Sequence, residues 1–446
     1  MLVPRSMSAG STAGRSRPSR FTRVAAVLVV ALLVPLACQT VRTGARCSGQ
    51  GFGRVSQQVV QCRNRRWART GLTVEQVARF LIAVAQSRAT QPTQPAQTGR
   101  PSLAVSTVVS NLEKPWDLTF DPTGTMFFTE KNGRINALVG GVRRTLADPA
   151  DSVSTGESGM MGLALDPQFA TNRRLYVCTM SNITGGLDTR VLRFTVSPDT
   201  TGLTDRADIV TGLPVNANGQ TGRHGGCRPR FGPDGSLWIG TGDAATGSTA
   251  QNPSSLGGKV LRVTTDGGGA PGNPGGALDP RIYTLGHRNV QGLAFRPGSS
   301  QVFSVEHGTG RDDEVNRLVP GGNYGWSPGG GSGGYDEGFP MTDPSRVPGA
   351  RVATWSSGSS TIAPSGATFL SGPQWRDWNG ALVLAVLKDT QLRVLVLDPD
   401  GNSVTGEDVA VTDQGRLRTA VQGPDGSLYV STDVSGTGRI LRVTPS

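Results

Sequence analysis

Charge is scarce in this chain: Asp, Glu, Lys and Arg make up 17% of its 446 residues, and aromatic residues 6%. Long amphipathic helical patterns are nearly absent, which turns the reading away from helical architecture. No Cys-x-x-Cys-His occurs, so the chain carries no c-type haem of its own. Acids are almost missing from the first hundred residues, where fifteen Arg, no Lys and a single Glu75 leave a charge of +14. Against the total of +11, the remaining residues carry −3. The folded part therefore lacks the basic excess of a nucleic-acid binder.

The leader is equally short of what a membrane span needs. Arg15, Arg17, Arg20 and Arg23 precede an apolar run from Val24 to Ala37, too short to cross a bilayer comfortably. Residues 1–38 read as an export signal, with Met7 as an alternative start. Pro35-Leu36-Ala37-Cys38 is an imperfect lipobox. Two outcomes stay open: a lipid anchor on Cys38, or ordinary cleavage near Ala37. Either way the expected location is periplasmic or cell-surface.

What the chain has is 62 Gly, 29 Pro and short apolar runs cut by turn residues, the composition of an all-β protein with many hairpins. Residues 39–100 read as a small Arg-rich segment followed by a Pro/Gln/Thr linker around Gln91-Pro92-Thr93-Gln94-Pro95. There, Cys47 and Cys62 are free to pair in an oxidising compartment. Thr73-x-x-Gln76 predicts a capping box opening a short helix through Ala85. Cys178 and Cys227, far apart on predicted strands, are expected to be buried free thiols rather than a bridge between blades.

From Ser102 onward one pattern recurs: an apolar strand, a Pro/Gly/Asp turn, and a second strand rich in β-branched and aromatic residues. Its copies run over residues 116–130, 162–179, 227–241, 292–307, 366–386 and 419–432. Three share nearly the same hairpin, Asp121-Pro122-Thr123-Gly124, Gly232-Pro233-Asp234-Gly235 and Gly423-Pro424-Asp425-Gly426. Six copies over residues 101–446 leave roughly 58 residues each, enough for a four-stranded blade with one long loop. The prediction is a six-bladed β-propeller of four-stranded antiparallel blades.

The chain's three histidines, His224, His287 and His307, all fall in Gly-rich segments flanking strands, where at least one is expected to act as a base. Around them stand Lys114-Pro115-Trp116, Gly156-Glu157-Ser158-Gly159-Met160-Met161-Gly162, Thr241-Gly242-Asp243 and Gly258-Lys259-Val260-Leu261-Arg262. Tyr283-Thr284-Leu285-Gly286-His287-Arg288-Asn289 follows, then Asp312-Asp313-Glu314-Val315-Asn316 and Gly322-Asn323-Tyr324-Gly325-Trp326. Ala363-Pro364-Ser365-Gly366, Lys388 and Arg416-x-Arg418 close the set. In this order and spacing the chain resembles the soluble quinoprotein glucose and aldose sugar dehydrogenase family, over essentially all of residues 103–444.

The resemblance implies an enzyme that uses pyrroloquinoline quinone and calcium to oxidise a sugar at C1, passing electrons to an external quinone or cytochrome. It makes His224 the general base, Asp243 the carboxylate that orients it, and Arg288 a stabiliser of negative charge on the quinone oxygen. Arg288, Asn289, Thr361, Lys388, Arg416 and Arg418 would bind the tricarboxylate cofactor, which calls for fixed cations. Glu157 falls near the sugar. Calcium would sit on backbone carbonyls of Gly308 and Thr309, oxygen ligands that a hard cation prefers.

Three departures from the family's pattern stand out: Thr309 replaces the usual Pro, Arg223 precedes the base, and Ser359 stands where an aromatic residue covers the cofactor. Trp355 lies close enough in sequence to compensate. Short loops place the chain nearer the aldose sugar dehydrogenase branch, implying a monomer with broad sugar specificity. Two other classes fit a propeller: a cofactor-free binding module and a calcium-dependent lactonase. The retained cations oppose the first. The lactonase needs carboxylates and Asn around the axis, where this chain offers mostly cations.

Overall fold

The three expected hairpins close on their glycines. In the structure, a computed structural model, Gly124, Gly235 and Gly426 have φ of +90°, +76° and +78°, the left-handed backbone that glycine adopts without steric cost. Each donates its N–H three residues back, to Asp121, Gly232 and Gly423 carbonyls at 3.0 Å. The turn aspartates accept further N–H groups, Thr123 on Asp121 at 2.9 Å and Ser236 on Asp234 at 3.1 Å. Such Asx contacts fix the turn and hence the register of the strands it joins.

The structure describes residues 41–46, 52–55, 58–63, 65–73, 98–183, 186–330 and 334–446. The chain divides into two compact units, Met1–Pro95 and Ala96–Ser446. In the first, strands Phe52–Val55, Gln58–Arg63 and Arg66–Thr73 form an antiparallel sheet. Thr73, the expected cap of a short helix, pairs with Gln58 and ends the strand in the extended conformation that a helix cap also adopts. Residues 74–85 lie outside the described residues, as do the apolar run, Cys38 and Cys47. Cys62 is disulfide-bonded.

The second unit is a six-bladed β-propeller, each blade a four-stranded antiparallel sheet. The six sequence copies are the first two strands of the six blades. The innermost strands are Pro115–Phe120, Met160–Leu165, Gly226–Phe231, Val290–Phe295, Pro364–Phe369 and Leu417–Gln422. Second strands such as Met126–Glu130, Leu237–Thr241 and Leu382–Val386 are buried along their whole length, since neighbouring blades cover both faces. The outer strand Val404–Ala410 alternates half-buried and exposed residues. Blade 6 closes the ring by pairing Gly438–Pro445 with the early strand Leu103–Leu112, so both ends of the unit share one sheet.

Every innermost strand carries a register shift near its start, between Pro115 and Asp117, Gly226 and Arg228, Val290 and Gly292, and Leu417 and Thr419, for example. A bulge re-aims the extra residue out of the ladder. Below these bulges the blades meet at one buried ion pair. Asp117 of blade 1 accepts Arg228 Nη1 of blade 3 at 2.5 Å and Arg230 at 2.7 and 2.8 Å. Leu163 N of blade 2 and Thr419 Oγ1 of blade 6 also donate to it, at 3.2 and 2.9 Å. Arg228 in turn donates to the Gln291 carbonyl of blade 4 at 2.5 Å and to Ser365 Oγ of blade 5 at 3.4 Å. One pair thus touches the inner strands of all six blades.

Cys178 and Cys227 form a disulfide with Cα atoms 6.0 Å apart, correcting the expectation of free thiols. The second strand of blade 2, Arg174–Ser181, holds Cys178, and the first strand of blade 3 holds Cys227. Face-to-face blade packing brings them within bonding range although 49 positions separate them in the chain. Closing a loop of that length contributes roughly 4 kcal/mol in the chain-entropy account.

Candidate active site

Chain direction sorts the propeller into two ends. Innermost strands run into the hairpins at one end, so their starts and the ends of the second strands lie at the other. All the predicted site residues sit at that second end. His224 precedes Gly226–Phe231, and Asp243 follows Leu237–Thr241. Arg288 and Asn289 precede Val290–Phe295, while Gly308 and Thr309 follow Val302–Glu306. Glu157, Thr361 and Arg416 precede inner strands and Lys388 follows a second strand in blades 2, 5 and 6, while Arg418 is the bulge residue at the start of Leu417–Gln422.

The three histidines separate by their partners. His287 is fully buried, its Nδ1 2.7 Å from Glu306 and its Nε2 2.9 Å from Thr284 Oγ1, with its ring stacked on Tyr324. Both nitrogens are committed, so it is structural. His307 is pushed down to about 3 by burial, with Arg418, Arg288 and His224 adding to that effect. A base that weak takes little part in proton removal near neutral pH. His224 remains. Its Nδ1 lies 2.8 Å from Asp243 Oδ1, and no described group bonds its Nε2.

Asp243 is wholly buried and saturated with donors: Ala245 N at 2.7 Å on Oδ1, Trp326 Nε1 at 2.7 Å and Tyr335 Oη at 2.9 Å on Oδ2. A carboxylate so held assigns the Nδ1–H tautomer to His224 and leaves Nε2 as the acceptor. The backbone gives the loop no slack. A Cβ on Gly242 would stand 1.8 Å from the His224 carbonyl oxygen, which is why glycine precedes Asp243.

A polar chain links this base to the cations. Glu157 accepts from His224 N at 3.3 Å and Asn289 Nδ2 at 3.1 Å. Asn289 Oδ1 accepts from Gln291, whose own Oε1 accepts from Arg418 Nη1, both at 3.3 Å. Arg418 pairs with Asp433 at 2.9 Å; Arg416 lies 3.4 Å from the same carboxylate and donates to the Leu387 carbonyl. Lys388 is exposed, with no ion pair to a described residue. Arg288 bonds the His307 carbonyl at 3.1 Å and pairs with Glu337. Burial opposes the Arg288 charge, and Tyr335 and Glu337 more than offset it, holding its pKa above the ordinary value.

The Thr361 hydroxyl donates to Asp313, at 2.8 Å from Oδ1. Asp313 also takes the N–H groups of Gly308, Ile362 and Ala363 at 2.9, 2.6 and 3.0 Å, tying the Gly308 loop to the Thr361 loop. Trp355 does not compensate for Ser359. It lies in the outermost strand of blade 4, where its Nε1 bonds Glu407 of blade 5 at 3.1 Å. Among the described residues no cluster of three or more His, Cys, Asp or Glu is placed to hold a metal ion; Gly308 and Thr309 offer carbonyl oxygens instead.

Sequence reading missed Tyr335 and Glu337. They lie on the far side of a Gly-rich stretch that carries no strand pattern, and the one available signal was a Tyr-Asp-Glu run after five glycines in six residues. Tyr335 reaches both His224 Nδ1, at 3.1 Å, and Asp243, while Glu337 bridges Arg223 and Arg288. Beside them a cavity of about 460 Å³ opens, lined by Asn216, Gln220, Arg223, Thr246, Tyr335 and Glu337 among others. Three buried polar atoms at this end have no partner among the described residues: Arg288 Nε, Arg418 Nε and His307 Nε2. Two unpaired guanidinium donors among exposed cations suit an oxygen-rich anion.

Residues 112–442 match the family model described as glucose/sorbosone dehydrogenase. The chain is 32% identical over 355 residues to the aldose sugar dehydrogenase YliI of Escherichia coli K12, covering 76% of this chain and 92% of that protein. It is 30% identical over 266 residues to quinoprotein glucose dehydrogenase B of Acinetobacter calcoaceticus, covering 53% and 54%. Among solved structures, the PQQ-bound aldose sugar dehydrogenase of Streptomyces coelicolor superposes with a TM-score of 0.64 at 28% identity, covering 78% of this chain and all of that one. The chain therefore belongs to the glucose/sorbosone dehydrogenase family of oxidoreductases.

Proposed function

We propose that this sugar dehydrogenase oxidises an aldose at C1 to the lactone, using pyrroloquinoline quinone and calcium bound at the His224 end of the propeller. The observation that carries the reading is His224, oriented by a buried and saturated Asp243, with no described group bonded to Nε2, at the propeller end that also carries Arg288, Lys388, Arg416 and Arg418. Bound there, the quinone supplies the acceptor for the C1 hydride and calcium a Lewis acid for its oxygens.

The protein's own part is proton transfer and placement. His224 Nε2 takes the anomeric hydroxyl proton as C1 loses hydride, and Asp243 stabilises the imidazolium that results. Glu157, joined to the His224 backbone, would meet the sugar hydroxyls. Arg288, Arg416, Arg418, Lys388 and Asn289 would hold the cofactor carboxylates, the orphaned Nε atoms of Arg288 and Arg418 being free to donate. Thr361 would act through Asp313 by shaping the loop whose Gly308 and Thr309 carbonyls bind calcium. Tyr335, bonded to Asp243, would help to keep bulk water from its carboxylate.

The leader-like residues 1–38 support export to the periplasm or cell surface, with Cys38 as the anchor if it is lipidated. A disulfide within the propeller suits that compartment. Residues 101–446 would form a monomeric catalytic domain, and turnover would need an external quinone or cytochrome as electron acceptor.

The test is an absorbance titration of the full chain with pyrroloquinoline quinone and calcium, followed by aldose. Saturable quinone binding, bleaching on adding sugar, and loss of both rate and rescue in excess chelator are expected. No quinone binding would make the chain a cofactor-free module. Binding without bleaching by any aldose would remove the substrate assignment.

A further inference from the structure

We infer that the Cys178–Cys227 disulfide is a positioning device for His224, fixing the base of blade 3 against the blade 2 turn that presents Glu157. It rests on the reading of His224 as the base. The loop it anchors is under backbone constraint: His224, Gly226 and Cys227 have φ of +50°, +55° and +64°, three left-handed residues within four. Two of the three carry side chains, for which that region is disfavoured. Such a loop keeps its shape only when its surroundings over-determine it.

The restraints come from two directions. Within blade 3 the imidazole is bonded to Asp243, and Gly226 packs so tightly that a Cβ there would stand 2.4 Å from Gly242 N. Toward blade 2, Ser158 Oγ and Glu157 N both donate to the Gly222 carbonyl, at 2.9 and 3.1 Å, on the near side of His224. On the far side the covalent link takes over. Cys227 is the extra residue at the register shift between Gly226 and Arg228, so it is turned out of the ladder toward Cys178.

The corresponding bulge residues Trp116, Gln291 and Arg418 hold their blades by packing and hydrogen bonds. The blade that bears the base is tied covalently. Both cysteines are wholly buried in the core shared by blades 2 and 3, with Tyr176, Val191, Ile239 and Leu261. The bond is thus a fixed clamp, sealed from thiols in solution while the propeller is folded. Without it, His224 keeps Asp243 but loses its fixed distance from Glu157, and a base displaced by an ångström costs about 10- to 100-fold in rate.

The experiment compares wild type with the Cys178→Ala/Cys227→Ala double variant, as full chains loaded with pyrroloquinoline quinone and calcium. Expected are a kcat for glucose lower by about 10- to 100-fold, unchanged quinone affinity by absorbance titration, and faster hydrogen exchange over residues 220–228. As a second arm, wild type is refolded with thiols reduced or with oxidised glutathione. There the two thiols release two protons and pass two electrons to oxidised glutathione, giving the disulfide and two reduced glutathiones, and peptide mapping verifies the link. Activity should follow the link. Full kcat with unchanged exchange in the unlinked forms overturns the proposal, as does equal loss of kcat and quinone binding. If neither unlinked form folds, the bond is a requirement of the fold and the positioning role is overturned. A wild type that oxidises no sugar would instead remove the functional reading, while the exchange data still judge the clamp.

Discussion

Asp243 holds His224 Nδ1 at 2.8 Å with one carboxylate oxygen while Trp326 and Tyr335 occupy the other, at 2.7 and 2.9 Å. Every lone-pair direction that would let the carboxylate turn is taken, so the imidazole is presented in one tautomer and one orientation. Replacing His224 with Gln keeps size and hydrogen bonding and removes the base. A fall in kcat of about 10²–10⁴-fold is expected, with quinone affinity unchanged by absorbance titration. Wild-type turnover in His224→Gln at saturating sugar and quinone, with oxidation rate-limiting, would sink the mechanism even though the propeller stands.

Lys388 and Arg418 should separate binding from stability. Lys388 is exposed and unpaired among the described residues, whereas Arg418 is buried and neutralises Asp433. Both Ala variants should bind quinone more weakly and recover activity in excess quinone. Lys388→Ala should keep the wild-type melting temperature. Arg418→Ala should lower it, because Asp433 is left buried with only the longer Arg416 contact. Equal melting temperatures with equal quinone affinities in all three proteins would contradict both roles.

Glu337 sits between two cations, Arg223 at 2.5 Å and Arg288. Burial alone would raise its pKa, but Arg288 and Arg223 hold it below the ordinary carboxylate range, so it is charged and cancels part of the site's positive field. Glu337→Gln should therefore tighten binding of the anionic quinone, and the gain should shrink with added salt. Weaker binding in this variant would mean that Glu337 serves to orient Arg288 rather than to compete for it.

Much of this was legible in the sequence because it rests on short-range chemistry. The Asp/Gly hairpins at 121–124, 232–235 and 423–426 announce themselves through turn residues, and their recurrence gives the blade count. His224, Asp243 and Arg288 were singled out by the resemblance to the quinoprotein family, whose motifs sit in the short segments flanking the predicted strands; from the residues alone only the placement of the three histidines beside tight turns pointed to a base. What stayed hidden depends on packing between blades. Cys178 and Cys227 are adjacent only because blade 2 faces blade 3, and Trp355 looked near the cofactor only along the chain. Tyr335 and Glu337 lie past a glycine run without periodicity, so no pattern pointed to them. The axial pair of Asp117 and Arg228, 111 positions apart, carries no local signal at all.

That axial pair makes the last prediction. Asp117 is wholly buried; burial alone would raise its carboxyl, but Arg228 and Arg230 overcome this and hold it below the ordinary value of 3.8. Burial pulls Arg228 down to about 9, against the opposing pull of Asp117, so it is charged at neutral pH. Asp117→Asn leaves the Arg228 charge uncompensated at the contact of all six blades, a loss of about 3–5 kcal/mol for a broken buried pair. The sign with pH follows from the depressed carboxyl. Its contribution is complete above the unfolded value of 3.8 and disappears as pH falls through the lower folded value, where the folded chain must also take up the proton. Wild type should therefore lose stability steeply at the acid end, and Asp117→Asn should be less stable at pH 7 but less sensitive to acid. Urea denaturation of both proteins at neutral and acid pH measures this; a variant as stable as wild type at pH 7 would show that the blades hold together without the pair.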